Sequence, residues 1–268
     1  MIELLLALLF YPGIALGVVL ALATAMLTNQ RRLLLVFRNR PNWRSLDTIA
    51  AISSLLLAGI ALALAPWPLH PAAADRIIGQ PLLIFLALEA AFLVPVLTAL
   101  IAPSPTAGRA AIREAQIGIA GRVVLWLAIG SLLGPATGWG SAPGGSVLLA
   151  IAVILALPAA IGHGPFAAER TISPAGAEEG LDSITTTLLQ AARLYRATVT
   201  TAISVLALLP PIGAVPELLL AIALFLLITL GLSRIASLPR LPLPAALRWC
   251  WWPALVCALG GVVWLGLA

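Results

Sequence analysis

Apolar residues in this chain come in long runs, separated by short stretches that hold most of the charge and much of the proline. An α-helix needs about 20 apolar residues to cross a bilayer. On that ruler the pattern predicts eight spans, roughly 3–28, 48–66, 80–102, 114–134, 145–162, 184–208, 213–233 and 245–267. Turn-forming clusters punctuate them: Pro66-Trp67-Pro68, Pro103-Ser104-Pro105, Pro143-Gly144-Gly145, Pro210-Pro211 and the run from Pro239 to Pro244. No internal repeat or low-complexity linker interrupts the series. The expected fold is therefore all-α and polytopic, a single integral membrane domain over residues 1–268. The first apolar stretch is too long for a signal-peptide core and lacks a basic leader, so it reads as a retained anchor.

Composition agrees. The chain is 62% hydrophobic and only 9% charged, where soluble domains carry about 25%. Its net charge of +5 comes from fifteen Arg and no Lys. Those Arg lie in short loops between apolar runs rather than on one solvated face, so nucleic acid is not an expected partner. His70 and His163 stand far apart, and Cys250 and Cys257 lie together in the last apolar run. No metal-ligand spacing results, and both cysteines read as inert core residues. The chain also lacks a nucleophile–base dyad, a phosphate loop and a paired-acid site, which argues against a stand-alone membrane enzyme.

Arginine placement sets the expected orientation. Loop one holds Arg31, Arg32, Arg38, Arg40 and Arg44, loop three Arg109 and Arg113, loop five Arg170, and loop seven Arg234 and Arg240. Loop two has Arg76 offset by Asp75, and loops four and six have none. Under the positive-inside rule the odd loops are cytoplasmic and both termini lie outside. The Gly/Trp-rich fourth loop suits an outer interface.

Charges within the spans mark the candidate chemistry, because a charge at mid-membrane depth is normally tolerated only beside a partner, a cavity or a proton path. Glu89 falls near the middle of the third span, and Arg113, Glu114, Gln116 and Arg122 open and interrupt the fourth. The two spans are antiparallel neighbours joined by a short loop, which puts Glu89 and Arg122 at similar depth, within pairing reach. Two readings of Glu89 stand: a proton-relay acid and a structural interhelical ion pair. If the fourth helix starts near residue 112, Glu114 occupies its N-terminal turn, where the helix dipole favours an acid. In the sixth span Gln190, Arg193, Tyr195 and Arg196 form a further polar cluster. Arg193 and Arg196 share a face, either snorkelling to the interface or facing the acids of loop five. That loop carries Glu169, Glu178, Glu179 and Asp182. It reads as a solvated connection or as a surface that docks a soluble partner.

Four stretches, in order, resemble a known family. They are YPGIALGVVLALATAMLTNQRRLLLVFRNR, LEAAFLVPVLTALIAPSPTAGRAAIREAQIGIAGRVVLWLAIGSLL, GPFAAERTISPAGAEEGLDSITTTLLQAARLYRA and RLPLPAALRWCWWPALVCALGGVV. Together they are similar to the H-type membrane subunit of respiratory complex I (NADH dehydrogenase, NADH:quinone oxidoreductase). They are also similar to its counterpart, the membrane anchor of group 4 membrane-bound [NiFe] hydrogenases and formate hydrogenlyase-type complexes. The resemblance implies a non-catalytic membrane subunit in an electron-transport complex, possessing no cofactor of its own. It would anchor soluble iron–sulfur and hydrogenase- or quinone-type subunits, with iron–sulfur clusters and [NiFe] in those partners, and link them to antiporter-like, proton-translocating membrane subunits. By position, Glu89 matches the family's intramembrane acid and Arg113 the Arg that begins the next span. Glu169 falls where the acidic loop begins, and Glu179 near its second acid.

Departures from the family pattern are specific. Arg122 stands about where the family has a second acid, which turns a two-carboxylate relay into a Glu–Arg pair. The acidic loop has exchanged some acids for Ala, Thr and Ser. The segment after the first span is shortened to FRNRPNWRSLD, so the hydrogenase-type branch fits better than the quinone enzymes. The alternative from another class is a stand-alone secondary transporter whose Glu89 and Arg122 bind an ion or substrate. Such proteins often show inverted repeats or broken spans; no repeat is visible here, although Pro95 interrupts the third span.

Overall fold

The computed structural model describes residues 2–28, 43–73, 77–102, 104–133, 139, 142–167, 180–210 and 212–267. Every regular element among them is helical: α1 (Ile2–Leu9), α2 (Ile14–Leu27), α3 (Leu46–Leu64), α4 (Pro81–Ile101), α5 (Pro105–Leu133), α6 (Pro143–Ala160), α7 (Ser183–Leu208), α8 (Ala214–Ile235), α9 (Leu243–Trp249) and α10 (Leu255–Leu267). A 3-10 turn, Gly164–Phe166, follows α6, and a π-turn, Cys250–Ala254, joins α9 to α10. Prolines open α4, α5 and α6, where the missing N–H is not needed because the first-turn amides have no intrahelical acceptor.

Among the described residues, seven segments are long and apolar enough to cross a membrane: Glu3–Leu27, Leu46–Leu64, Pro81–Ile101, Pro105–Leu133, Pro143–Ala160, Ala214–Ile235 and Leu243–Leu267. The chain is a multi-pass membrane protein. The eighth expected span is a helix, but it does not share this composition. α7 has 26 residues, or about 39 Å at 1.5 Å per residue, so length is not what sets it apart. Polarity is: Arg196, Thr198, Thr200, Thr201 and Ser204 are all buried. After Ser183 no residue of α7 is exposed. Polar side chains buried in this way are not presented to lipid, and two of the threonines satisfy their hydroxyls on their own helix. Thr198 and Thr200 donate to the carbonyls of Leu194 and Arg196, each at 2.9 Å.

Three span boundaries differ from the expected ones. The first span is broken between α1 and α2 at Phe10–Gly13. The fourth helix begins at Pro105, well before residue 114, because Pro105 starts a helix rather than ending a loop. In the last span Pro253 lacks the amide that would bond the Trp249 carbonyl, and the ladder slips into a π-turn there.

The described chain forms two compact units: Met1–Leu64, Leu83–Ala115 and Ala168–Thr200 make the first, and Ala65–Leu82, Gln116–Ala167 and Thr201–Ala268 the second. In the first, α3 and α7 pack in parallel through Ala51, Leu188, Leu189 and Ala192. In the second, α6 and α10 meet at Gly145 and Gly261, where a Cβ on either would stand about 3 Å from the carbonyl of the other. Small residues at such crossings let backbones approach closely where no hydrophobic driving force separates protein from lipid.

One turn of the second unit is fastened from several sides. α6 ends in a Schellman motif: Gly162 has φ +64°, the Gly162 amide donates to Ala159 and the His163 amide to Pro158. The following turn is held by His163 Nε2, which donates to the Leu232 carbonyl at 3.1 Å, and by the Leu241 amide, which donates to the Pro165 carbonyl at 3.0 Å. Burial lowers the pKa of His163 by more than the Leu232 hydrogen bond raises it. The folded protein therefore holds the ring neutral at pH values where the unfolded chain, titrating near 6.5, already binds a proton. Stability is full above that value and falls as pH drops through it, down to the lowered folded-state pKa. Thermal unfolding in detergent between about pH 7.5 and about pH 5 should show this acid-side loss, and His163→Gln should flatten it. A slope that survives the substitution would assign the loss to other groups.

Candidate functional site

The site grows from a proline. Pro95 sits inside α4, and having no N–H it leaves the carbonyl four residues back, that of Ala91, without its helical donor. In hydrocarbon an unsatisfied carbonyl costs several kcal/mol. Two side chains from other helices meet the need: Ser54 Oγ of α3 donates to the Ala91 carbonyl at 2.8 Å, and Arg196 Nη1 of α7 donates to it at 3.0 Å. Arg196 Nη1 also donates to Ser54 Oγ at 3.1 Å. The guanidinium carbon lies 5.0 Å from the centroid of the Phe92 ring, within cation–π range. Three helices are thus tied at one point about halfway along α7, around a cation that is 2% exposed. Arg196 does not snorkel, because its hydrogen-bond partners lie at its own depth.

Nearer the start of α7, Arg193 Nη2 pairs with Glu114 Oε2 of α5 at 3.1 Å. Arg193, Arg196 and Glu114 line one pocket together with Asp47 of α3 and Thr98 of α4. Its apolar wall is Pro95, Val96, Ala99, Ala111 and Leu189. The cavity measures about 20 Å³, enough for a single water between polar partners. Two acids and two arginines balance in charge. With room for one water among them, the arrangement suits a relay in which a bound water passes a proton between carboxylates whose charge the arginines compensate. Such a relay needs no other reactive group.

Glu114 thus lies in the third turn of α5, and its charge is met by Arg193 rather than by a helix N-terminus as the sequence suggested. Arg193 and Arg196 face α5, α4 and α3. Glu89 is half-buried on α4, two residues before Ala91, and Arg113 is half-buried on α5 beside Glu114. Asp182 caps α7: its Oδ2 accepts from the amides of Ile184 and Thr185, both at 3.1 Å. Hydrogen bonding from Thr185 first of all holds its carboxyl below the ordinary range. Glu169, Glu178 and Glu179 lie outside the described residues.

Arg122 takes a role of its own. Its guanidinium is buried and Nη1 donates to the Ala160 carbonyl at 3.4 Å. Ala160 is the last residue of α6, so a cation is placed at the negative end of a helix, supplying a donor to a carbonyl that the Schellman turn leaves over. Gly121 makes the approach possible, since a Cβ there would stand 2.5 Å from the Ala160 nitrogen.

The sequence reading missed Ser54, Asp47 and Ala91. Pro95 was the available signal, because a proline inside a span implies a carbonyl one turn earlier that needs an outside donor. It could not say which helix would supply it.

A multi-pass, all-helical membrane protein with buried polar and charged side chains on its helices is the class these features define. Over 98% of its length the chain shares its fold with a chain, itself covered over 98%, in the structure of the membrane-bound sulfane sulfur reductase (MBS), an archaeal respiratory membrane complex. The TM-score is 0.70 and 18% of residues are identical. Fold is what a likeness at that identity shows. No protein-family model and no curated protein matches the sequence.

The Pro95–Ala91–Arg196 tie has a measurable signature. Arg196→Met should cost about 1.5–3 kcal/mol, the worth of a hydrogen bond to a charged group. In a Pro95→Ala background the restored amide serves Ala91, and the same substitution should cost about 1 kcal/mol less. Unfolding of the four proteins in mixed micelles checks this, and strictly additive losses would show that Arg196 does not act through the Ala91 carbonyl.

Proposed function

We propose that the chain is a non-catalytic membrane subunit of a respiratory complex I-like assembly, of the group 4 hydrogenase type. The observation that carries this reading is the likeness of fold to a chain of a respiratory membrane complex over nearly the whole of both chains. The order of the four family-like stretches points the same way. On this reading both termini lie outside. The loops before α3 and α7 face the cytoplasm, in keeping with the parallel packing of those two helices. Soluble iron–sulfur and hydrogenase-type subunits dock on that side, and antiporter-like subunits adjoin in the membrane. The clusters and any [NiFe] centre belong to those partners.

Within the subunit, the pocket of Glu114, Arg193, Arg196 and Asp47 is the proposed point where ion movement is coupled to the complex. Glu89 precedes the Ala91 tie by two residues, about half a helix turn, on the same helix as the pocket residues Pro95, Val96, Thr98 and Ala99. Arg122 is assigned to holding α6 rather than to the relay.

A pull-down of the tagged chain in mild detergent, with mass spectrometry and a metal assay, tests the assembly. Iron–sulfur and nickel-containing partners should accompany it; a chain that purifies alone and metal-free would sink the subunit reading. For the pocket, Glu114→Gln should leave the complex assembled while lowering ion translocation by about tenfold or more, on the order of one catalytic proton-transfer group. Unchanged translocation would make Glu114–Arg193 a structural pair.

A further inference from the structure

Three arginines of the second unit take no part in the polar pocket or the α6 cap: Arg234 at the end of α8, Arg240 in the connection, and Arg248 in α9. All three are exposed. Among the described residues none of them forms an ion pair. They look scattered in sequence, but one turn gathers them. Ile235, which follows Arg234, packs its backbone against Gly164. Leu241, which follows Arg240, donates its amide to the Pro165 carbonyl. Trp249, which follows Arg248, sets its ring 6.3 Å from that of Phe166 at 51°. Each arginine is therefore one residue, about 3.8 Å of backbone, from a different contact with the Gly164–Phe166 turn. His163, donating to Leu232, fastens the same turn from its other end.

Exposed aromatic residues follow Arg248 directly in sequence. Trp249, Trp251 and Trp252 are 40%, 47% and 71% exposed, and tryptophans of that kind settle at the headgroup level of a bilayer. Arg234 closes one candidate span, which ends at Ile235, and Arg248 lies in the first turns of the next, which begins at Leu243. Both therefore lie within two helical turns of the end of a candidate span, from which an arginine side chain can snorkel to lipid phosphates. A guanidinium offers paired N–H donors that match phosphate oxygens, and among the described residues no acid pairs with these three arginines.

We propose that Arg234, Arg240 and Arg248, gathered around the Gly164–Phe166 turn and followed in sequence by Trp251 and Trp252, bind the phosphate headgroup of an anionic phospholipid. The connection from Ala236 to Pro242 is well suited to this, since the Leu241–Pro165 hydrogen bond and the prolines at 239 and 242 hold it in place before lipid arrives. The site is independent of the polar pocket in the first unit and of the proposed assembly.

The test uses the full chain in nanodiscs of phosphatidylglycerol and phosphatidylcholine, with retained lipid counted by native mass spectrometry after release into detergent. Phosphatidylglycerol should be retained in preference. Each of Arg234→Gln, Arg240→Gln and Arg248→Gln should lower that preference about fivefold, the effect of about 1 kcal/mol per arginine at a charged membrane surface. Arg109→Gln, which removes an exposed arginine of the first unit, should leave it unchanged. Arg240 lies outside every helix, so Arg240→Gln carries the test even if a helical variant misfolds. Equal retention of the two lipids would overturn the proposal, as would an equal loss on Arg109→Gln, which would mean diffuse attraction to the whole positive surface.

Discussion

The fold depends on what happens to one backbone carbonyl. Pro95 denies Ala91 its helical partner, and the membrane offers no water to replace it. A buried guanidinium and a serine hydroxyl, from two other helices, take up the bond. The exchange works in both directions. An arginine at mid-membrane depth costs about 2.5–3.5 kcal/mol on insertion scales, and the carbonyl is one of the few groups at that depth able to accept from it. Each defect is the other's remedy, and the first unit is assembled around their meeting.

The distribution of polarity follows from that arrangement. α7 keeps its charges and hydroxyls inside the protein, while α8 and the last span, each with 22% of its apolar window buried, face outward with leucine, valine and tryptophan. α5 and α6, at 61% and 56%, are buried to a greater extent and carry small residues of close packing. In a soluble protein the gradient would run the other way. Here the least hydrophobic helix is the most enclosed, and the polar pocket opens beside it.

Much of this was legible from the sequence, for physical reasons that also set the limit. Apolar run length located every long helix but the fourth within a few residues at both ends, because the span requirement is a ruler. It placed the fourth helix too late, since residues 105–113 are too polar to register as membrane, yet Pro105 begins the helix there. α7 was found as a helix, but the burial of its polar side chains was not, because hydropathy reports the company a residue keeps only on average. The charged residues within the spans were singled out as a set. Their partners were not readable: Glu114 with Arg193, and Arg122 with a helix end, are decided by which helices pack together, and no spacing within one span records that. Glu89 and Arg122 were matched by depth along two consecutive spans, and the contact of Arg122 with the end of α6 was not foreseen.

The cap that Arg122 places on α6 has a mechanical meaning. Turning α5 by one residue would swing that guanidinium through about 100° and strip the Ala160 carbonyl of its donor. It would also drive the side chain next to Gly121 into the backbone of α6. α5 and α6 are therefore riveted against relative rotation at this level. Any flexing of the second unit must be taken up elsewhere along the chain, where, as at the Pro253 π-turn, the α-helical hydrogen-bond ladder is already out of step.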